Sequence, residues 1–395
     1  MYPKAGLQLT AILLLLISIA ACPAKRNMSE TPEPAAASPG LVAVGWTTGT
    51  VVQREGEMLQ SERGVLLQGR EGSWAESTPA YDSPLWALTT AATFDKGILL
   101  TGFDSFDEKP LAFVFDGRKS TPVTCSGCGD ALFSDCDAGP DNVVRCTGVT
   151  GDVRPVIARL QAGPSEADTD KETVYELVCR EPGSGGELVV LNDIECYAPD
   201  RALAVGAVGV MVNGSLSLTR GVIYKLEGGE WSNISPVGVS ERWSLTAASI
   251  GSDGTGYMVG EAASEGQGLM LAWDGRSPVR IDLPRYADSW WLSDIQCTGQ
   301  DRCLVVGAAQ PGEGLLLLWR KEDVLSLSVA RPAEFHSFER VLPLPAGDFA
   351  VCGAGMGPQA NGFVLTQSAG LQRLAEFPEL GALGGYGILD ITTLP

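Results

Sequence analysis

The chain has 395 residues with 45% apolar content, enough to bury a large core, and its 48 glycines and 24 prolines beside only 19% charged residues describe a turn-rich, all-β chain rather than a helical or disordered one. A formal charge of −20 at pH 7 sets it against nucleic-acid backbones and anionic lipid surfaces, which would repel most of its surface. His336 is the only histidine, which all but excludes histidine-dependent triads and multi-histidine metal sites.

The first residues have the layout of a secretory signal: Lys4, an apolar run from Leu7 to Ile19, then small residues. Leu7 to Ala21 supplies 15 residues with Gln8 and Thr10 inside, short of the ~20 apolar residues that a spanning helix needs. Ile19-Ala20-Ala21-Cys22 resembles the bacterial lipobox. The resemblance implies cleavage after residue 21, diacylglycerol on the Cys22 sulfur and acylation of the new amino group. The predicted membrane partner is thus reached through lipid on Cys22, and several acyl chains anchor stably where one does not. Pro23 stands where an aspartate would resemble an inner-membrane retention signal, so the outer membrane or cell surface is favoured. Pro23 to Gly40 is rich in Pro, Ala and Ser without apolar periodicity, which reads as a disordered tether over 22–40. Fully extended, it reaches roughly 60 Å.

From Leu41 onward one unit recurs. It is clearest as Leu245 to Ile250, Gly256 to Gly260, Leu269 to Gly275 and Val279 to Pro284: four short apolar strands, the pattern of a propeller blade. Seven candidate glycines end the second strand, Gly45, Gly102, Gly148, Gly206, Gly260, Gly307 and Gly353, and Gly45, Gly206, Gly260 and Gly307 follow a valine. Polar or glycine-rich inserts such as Gln161 to Thr173 and Gly206 to Gly221 are expected as loops. Leu41 to Trp46 is a second strand without a first, and Ile388 to Leu394 a first strand with nothing after it. Residues 41–395 are therefore predicted to form a seven-bladed β-propeller closed by pairing of the C-terminal strand with the N-terminal blade. The Val-Gly strand ends and the turns Trp273-Asp274-Gly275 and Phe115-Asp116-Gly117 resemble bacterial propellers of the Asp-box and photosystem assembly-factor kind. Ser252-Asp253-Gly254 lacks the Asp-box spacer, and Gly-Gly does not end these strands as it does in kelch repeats.

Nine of the ten cysteines remain after Cys22, and in an exported chain they favour disulfides. Cys297 and Cys303 lie across a predicted first-to-second-strand hairpin, as do Cys136 and Cys146. Blade four repeats the Cys297 pattern from Cys196 to Ala202, with alanine in the second place, so Cys179 becomes the expected mate of Cys196. Cys125 is expected to bridge Cys128, leaving Cys352 unpaired.

No catalytic residue, metal site or cofactor is predicted. His336 reads as a packing residue at a blade junction, and Asp135, Asp137 and Asp141 as a solvated acidic turn rather than a calcium loop. The connections between blades run from a proline to an aromatic: Pro79 to Trp86, Pro236 to Trp243, Pro284 to Trp291, Pro332 to Phe338, Pro378 to Tyr386. Inner strands line a propeller channel, so these rings either wedge between blades or form an aromatic rim. In the second case Trp86, Trp243, Trp291 and Phe338 present faces to a sugar or peptide, with Arg242 and Asp288 beside them. The expected function is a membrane-anchored binding or scaffolding module for an envelope protein, peptide or glycan, and the expected state a monomer. The alternatives are a carboxylate-based polysaccharide hydrolase or lyase and a purely structural envelope component.

Overall fold

The computed structural model describes residues 40–394 apart from short stretches at 55–56, 71–72, 163–174, 236–241, 263–264, 300–301, 311, 322, 328–335, 356–360, 369–370, 378–379 and 381–384. The signal peptide, Cys22 and the tether up to residue 39 lie outside the described residues, as do Pro236, Pro332 and Pro378. Seven sheets form a ring, each with four antiparallel strands ordered from an inner strand outward, and blade three adds a fifth strand in parallel at its outer edge. In blade five the strands are Ser244–Ile250, Gly256–Ala262, Gln267–Trp273 and Pro278–Ile281, where the sequence repeat is clearest. Blade one is built from both chain ends: the last strand, Tyr386–Thr393, pairs antiparallel with the first, Leu41–Arg54, from Leu41 opposite Thr393 to Thr47 opposite Tyr386. This pairing closes the ring and occupies two sheet edges that would otherwise stand open.

The seven glycines owe their identity to a bulge. In every blade the inner strand carries one extra residue opposite the second strand, beside Gly45, Gly102, Gly148, Gly206, Gly260, Gly307 and Gly353. The bulge drives an inner-strand carbonyl oxygen toward the glycine. A Cβ would sit 1.9 Å from Gly387 O at Gly45, 2.0 Å from Ser244 O at Gly260 and 2.2 Å from Leu132 O at Gly148. No side chain fits there, and a bulge re-aims the residue that follows it. The second strands do not end at the glycine, however; Gly206 sits in the middle of Arg201–Val212.

The core lies between blades, where aliphatic and aromatic faces meet. Between blades six and seven, Leu304, Val306, Leu316, Phe338, Phe349 and Val351 form one such layer. Blades one and four also carry long hairpins. The segment from Gly206 to Gly221, expected as a loop insertion, is instead part of a β-hairpin, Arg201–Val212 with Ser215–Glu227. Its turn is Asn213-Gly214 at φ 52° and 80°, left-handed values that these two residues tolerate in a two-residue hairpin. In blade four the last inner-strand partner of the hairpin is Leu188, opposite Gly209, so Val210 to Val212 rise ~10 Å beyond the blade at ~3.3 Å per residue. In blade one Leu41–Arg54 runs past its last inner-strand partner at Thr47 by ~23 Å. Both ribbons rise from the face on which inner strands begin. The chain enters at Leu41 on the opposite face, where inner strands end.

Three disulfides join described residues: Cys136 to Cys146, Cys297 to Cys303, and Cys128 to Cys179. The first two cross the hairpins of blades three and six. The expected Cys125–Cys128 and Cys179–Cys196 bridges are not formed. Cys179 lies on the outer side of blade three, in Tyr175–Arg180, and Cys196 on the inner strand of blade four, Leu188–Ala198. The width of a blade therefore separates them, far beyond the ~5–6 Å between Cα atoms that a disulfide spans. A fifth strand, Thr124–Ser126, pairs in parallel with Tyr175–Arg180, and this carries Cys128 to Cys179 with a Cα separation of 4.9 Å. Cys125, Cys196 and Cys352 are free, the latter two buried. The three bonds fit a protein matured in an oxidising, extracytoplasmic compartment. Among the described residues, no helix is long and apolar enough to cross a membrane.

Cys196 and Ala202 occupy in blade four the hairpin positions of Cys297 and Cys303, between the pairs Glu195–Leu203 and Ala198–Arg201. Ala202→Cys should therefore form a bond with Cys196 and add ~2 kcal/mol of stability. Thiol titration of the unfolded protein should then show one free cysteine fewer than the parent, and an added free thiol would refute the register.

Candidate functional site

The residue after each bulge faces the ring axis. Around the ring these residues are Asp390, Thr90, Asp135, Asp193, Ala247, Asp294 and Arg340, for blades one to seven in order. The Arg340 guanidinium donates to Asp135 Oδ1 at 2.6 Å and Asp193 Oδ1 at 3.1 Å, and lies 3.7 Å from Asp294 and 3.8 Å from Asp390. A side chain of blade seven that meets blades one, three, four and six must lie on the axis. The other oxygen of each aspartate binds the next blade: Ala91 N–H donates to Asp390 at 2.7 Å, Ile194 N–H to Asp135 at 3.1 Å, Ala248 N–H to Asp193 at 2.8 Å and Val341 N–H to Asp294 at 2.8 Å. The bulge residues add a second set of ties, from Thr89 to Phe133 O, Asn192 to Leu245 O and Thr246 to Leu292 O.

Four carboxylates and one guanidinium out of bulk water make an unbalanced cluster. Burial pushes Asp294 up to about 6 and Asp135 well above the usual carboxylate range, against the opposing pull of Arg340, and Asp390 is raised for the same reason. Burial also works against the charge on Arg340, but the carboxylates outweigh it. Two residues further along the inner strands, away from the hairpin face, are Asp137 and Glu195 of adjacent blades. Burial pushes Asp137 up to about 6 and Glu195 well above its ordinary value, each further raised by neighbouring carboxylates. Asp137 accepts the Cys196 N–H at 2.6 Å. Asp135 and Asp137 are thus axial residues rather than the solvated acidic turn expected with Asp141.

The expected aromatic rim is mostly absent from the surface. Trp86, Trp243 and Phe338 are buried at 2%, 6% and 0% exposure. They cannot present a face to a ligand, because each packs against a glycine of the preceding blade. A Cβ at Gly64 would fall 2.3 Å from Trp86, at Gly221 2.0 Å from Trp243, and at Gly314 2.7 Å from Phe338. In blade six the wedge is Trp290, 1% exposed and seated on Gly268. Trp291 is half-buried and one residue out of phase, so strand alternation turns it to the axial side at the hairpin face. In blade seven His336 takes the wedge position, buried and edge-on to Phe338 and Phe363. Arg242 is exposed, and the fully exposed Asp288 pairs with Arg285 at 2.7 Å. Both precede inner strands and so belong to the hairpin face.

Trp243→Ala should destabilise the protein by ~3–5 kcal/mol, the loss expected of a large buried ring. Trp243→Phe should lose much less, since the indole Nε1 is buried with no hydrogen-bond partner among the described residues. Urea unfolding of both variants checks this, and an unchanged midpoint for the alanine variant would show that the ring is not a wedge.

The axial aspartates escaped the sequence reading although they carry a signal. Phe133-Ser134-Asp135, Leu191-Asn192-Asp193, Leu292-Ser293-Asp294 and Phe338-Glu339-Arg340 all place the axial residue 13 positions before the glycine of their blade.

These features define a seven-bladed β-propeller with an ionic hub on its axis. No family model matches the chain, and no curated protein does. Among solved structures it is similar to a protein from Lactobacillus plantarum, with 10% identity over 91% of this chain and 99% of the other and a TM-score of 0.52. It is also similar to a putative 6-phosphogluconolactonase from Bacteroides fragilis, at 11% identity over 92% and 100% of the two chains with a TM-score of 0.49. A third is YCF48 bound to a D1 peptide, at 14% identity over 86% and 92% with a TM-score of 0.47. Identities this low speak to the fold alone.

Proposed function

We propose that the chain is an envelope lipoprotein, anchored through Cys22 and presenting the hairpin face of its propeller to a protein, peptide or glycan partner. The observation that carries this reading is the opposition of the two faces. The tether joins at Leu41 on one face, while the hairpins of blades one and four rise from the other, which leaves the latter unobstructed by the anchor. On that face Val210, Met211 and Val212 stand about half exposed, at 47%, 53% and 50%, in a stretch from Gly206 to Thr219 without a charged residue. An apolar tip on a protein of charge −20 is a surface of the kind that partners cover. Trp291, Arg242 and Asp288 lie on the same face. Photocrosslinking in intact cells tests the reading: a crosslinker at Met211 should give a discrete adduct, and one at Val279, exposed on an outer strand, should not. Equal labelling at the two positions, or an unlipidated Cys22 in membrane-extracted protein, would overturn it.

Asp137 and Glu195 favour a second reading, a carboxylate-based polysaccharide hydrolase or lyase, because two carboxyls of raised affinity for protons on adjacent blades are the groups that such chemistry uses. Polysaccharide turnover abolished by Glu195→Gln, in a protein of unchanged melting temperature, would move the function to the axis.

A further inference from the structure

We propose that the outer edge of blade three is a thiol–disulfide exchange site, in which Cys125 is the resolving thiol of the Cys128–Cys179 disulfide. Three cysteines meet there. Cys125 lies on the fifth strand opposite Leu177, and Cys179, two residues on from Leu177, projects from the same face of the sheet. Cys128 follows Cys125 after Ser126 and Gly127, whose φ of 70° turns the chain back toward Cys179. All three side chains pack against one apolar cluster. Cys125 is also the one free cysteine among the described residues that is not buried.

The exchange balances within the protein. The Cys125 thiolate attacks Cys128 Sγ, a Cys125–Cys128 bond forms, and the Cys128–Cys179 bond breaks with its electron pair leaving on the Cys179 sulfur. That sulfur takes up a proton in place of the one lost from Cys125, so no oxidant or reductant is consumed. The two isomers differ mechanically. In the first, a covalent clamp holds the Thr124–Ser126 strand to Tyr175–Arg180; in the second, the Cys125-to-Cys128 loop closes on itself and three backbone pairings alone hold the strand. Burial pushes the Cys125 thiol up to about 11, so its reactive thiolate is scarce at neutral pH and the exchange is slow there.

The test uses the purified full chain without added thiol, held at pH 7 and pH 9, quenched in acid, alkylated and mapped without reduction. A species with Cys125 joined to Cys128 and Cys179 alkylated is expected, appearing roughly 100-fold faster at pH 9 in proportion to the thiolate and at a rate independent of protein concentration. The Cys297–Cys303 bond should stay intact as an internal reference. Cys125→Ser, with melting temperature as the check on folding, should keep Cys128 joined to Cys179 at both pH values. Wild-type protein in which alkylation reaches Cys125 and never Cys179 or Cys128 would overturn the proposal. So would equal release of Cys179 in the Cys125→Ser variant, which would place the attacking thiol elsewhere.

Discussion

Arg340→Met should destabilise the propeller by ~3–5 kcal/mol at pH 7.5, because it leaves four buried aspartates around an axis with no countercharge. The loss should shrink at pH 5. Asp294, with its carboxyl pushed up to about 6 by burial, and Asp135 and Asp390, raised in the same way, hold protons in the folded state that the unfolded chain releases. Stability from such groups is present at low pH and declines as pH rises through their folded values. The parent protein should therefore also be more stable at pH 5 than at pH 7.5. Surface carboxylates that are held low, such as Asp116 and Asp274 by backbone N–H groups, remain ionised across that window and do not reverse the sign. Denaturant titrations of both proteins at the two pH values decide it. A variant equally destabilised at both would mean that Arg340 acts through packing rather than charge.

Removing Tyr386 to Pro395 should abolish cooperative folding or leave an aggregating protein. The deletion strips the inner strand from blade one, exposes the edge of Leu41–Arg54 and removes Asp390 from the hub. Asp390→Asn retains the strand and should lose far less. A truncated chain that melts cooperatively at the parental temperature would show that the ring does not depend on its closing strand.

The fold was legible because its signals are local. Seven recurring strand glycines mark seven bulges, and the half-blades at the two ends explain each other. The site was less legible. Proline-to-aromatic spacing found the blade junctions, yet it chose Trp291 over Trp290 and Phe338 over His336, since neighbouring residues on a strand face opposite ways and a slip of one or two residues changes the partner. The disulfides of blades three and six followed from hairpin spacing. The Cys128–Cys179 bond did not, because it depends on a fifth strand that crosses the outside of the blade. The axial hub was missed because Asp135 alone of its members was singled out, as part of a solvated turn, although a fixed distance to the blade glycine ties Asp135, Asp193, Asp294 and Arg340 together.

Ring closure also imposes a schedule. A ribosome makes Leu41–Arg54 long before its partner Tyr386–Thr393, so blade one lacks its innermost strand while all the other blades are made. Contacts so distant in sequence form late and slowly. The closed ring thus shows that synthesis has passed Thr393: a molecule truncated before that strand carries an open sheet edge that chaperones and proteases can recognise, whereas one that has the strand hides it.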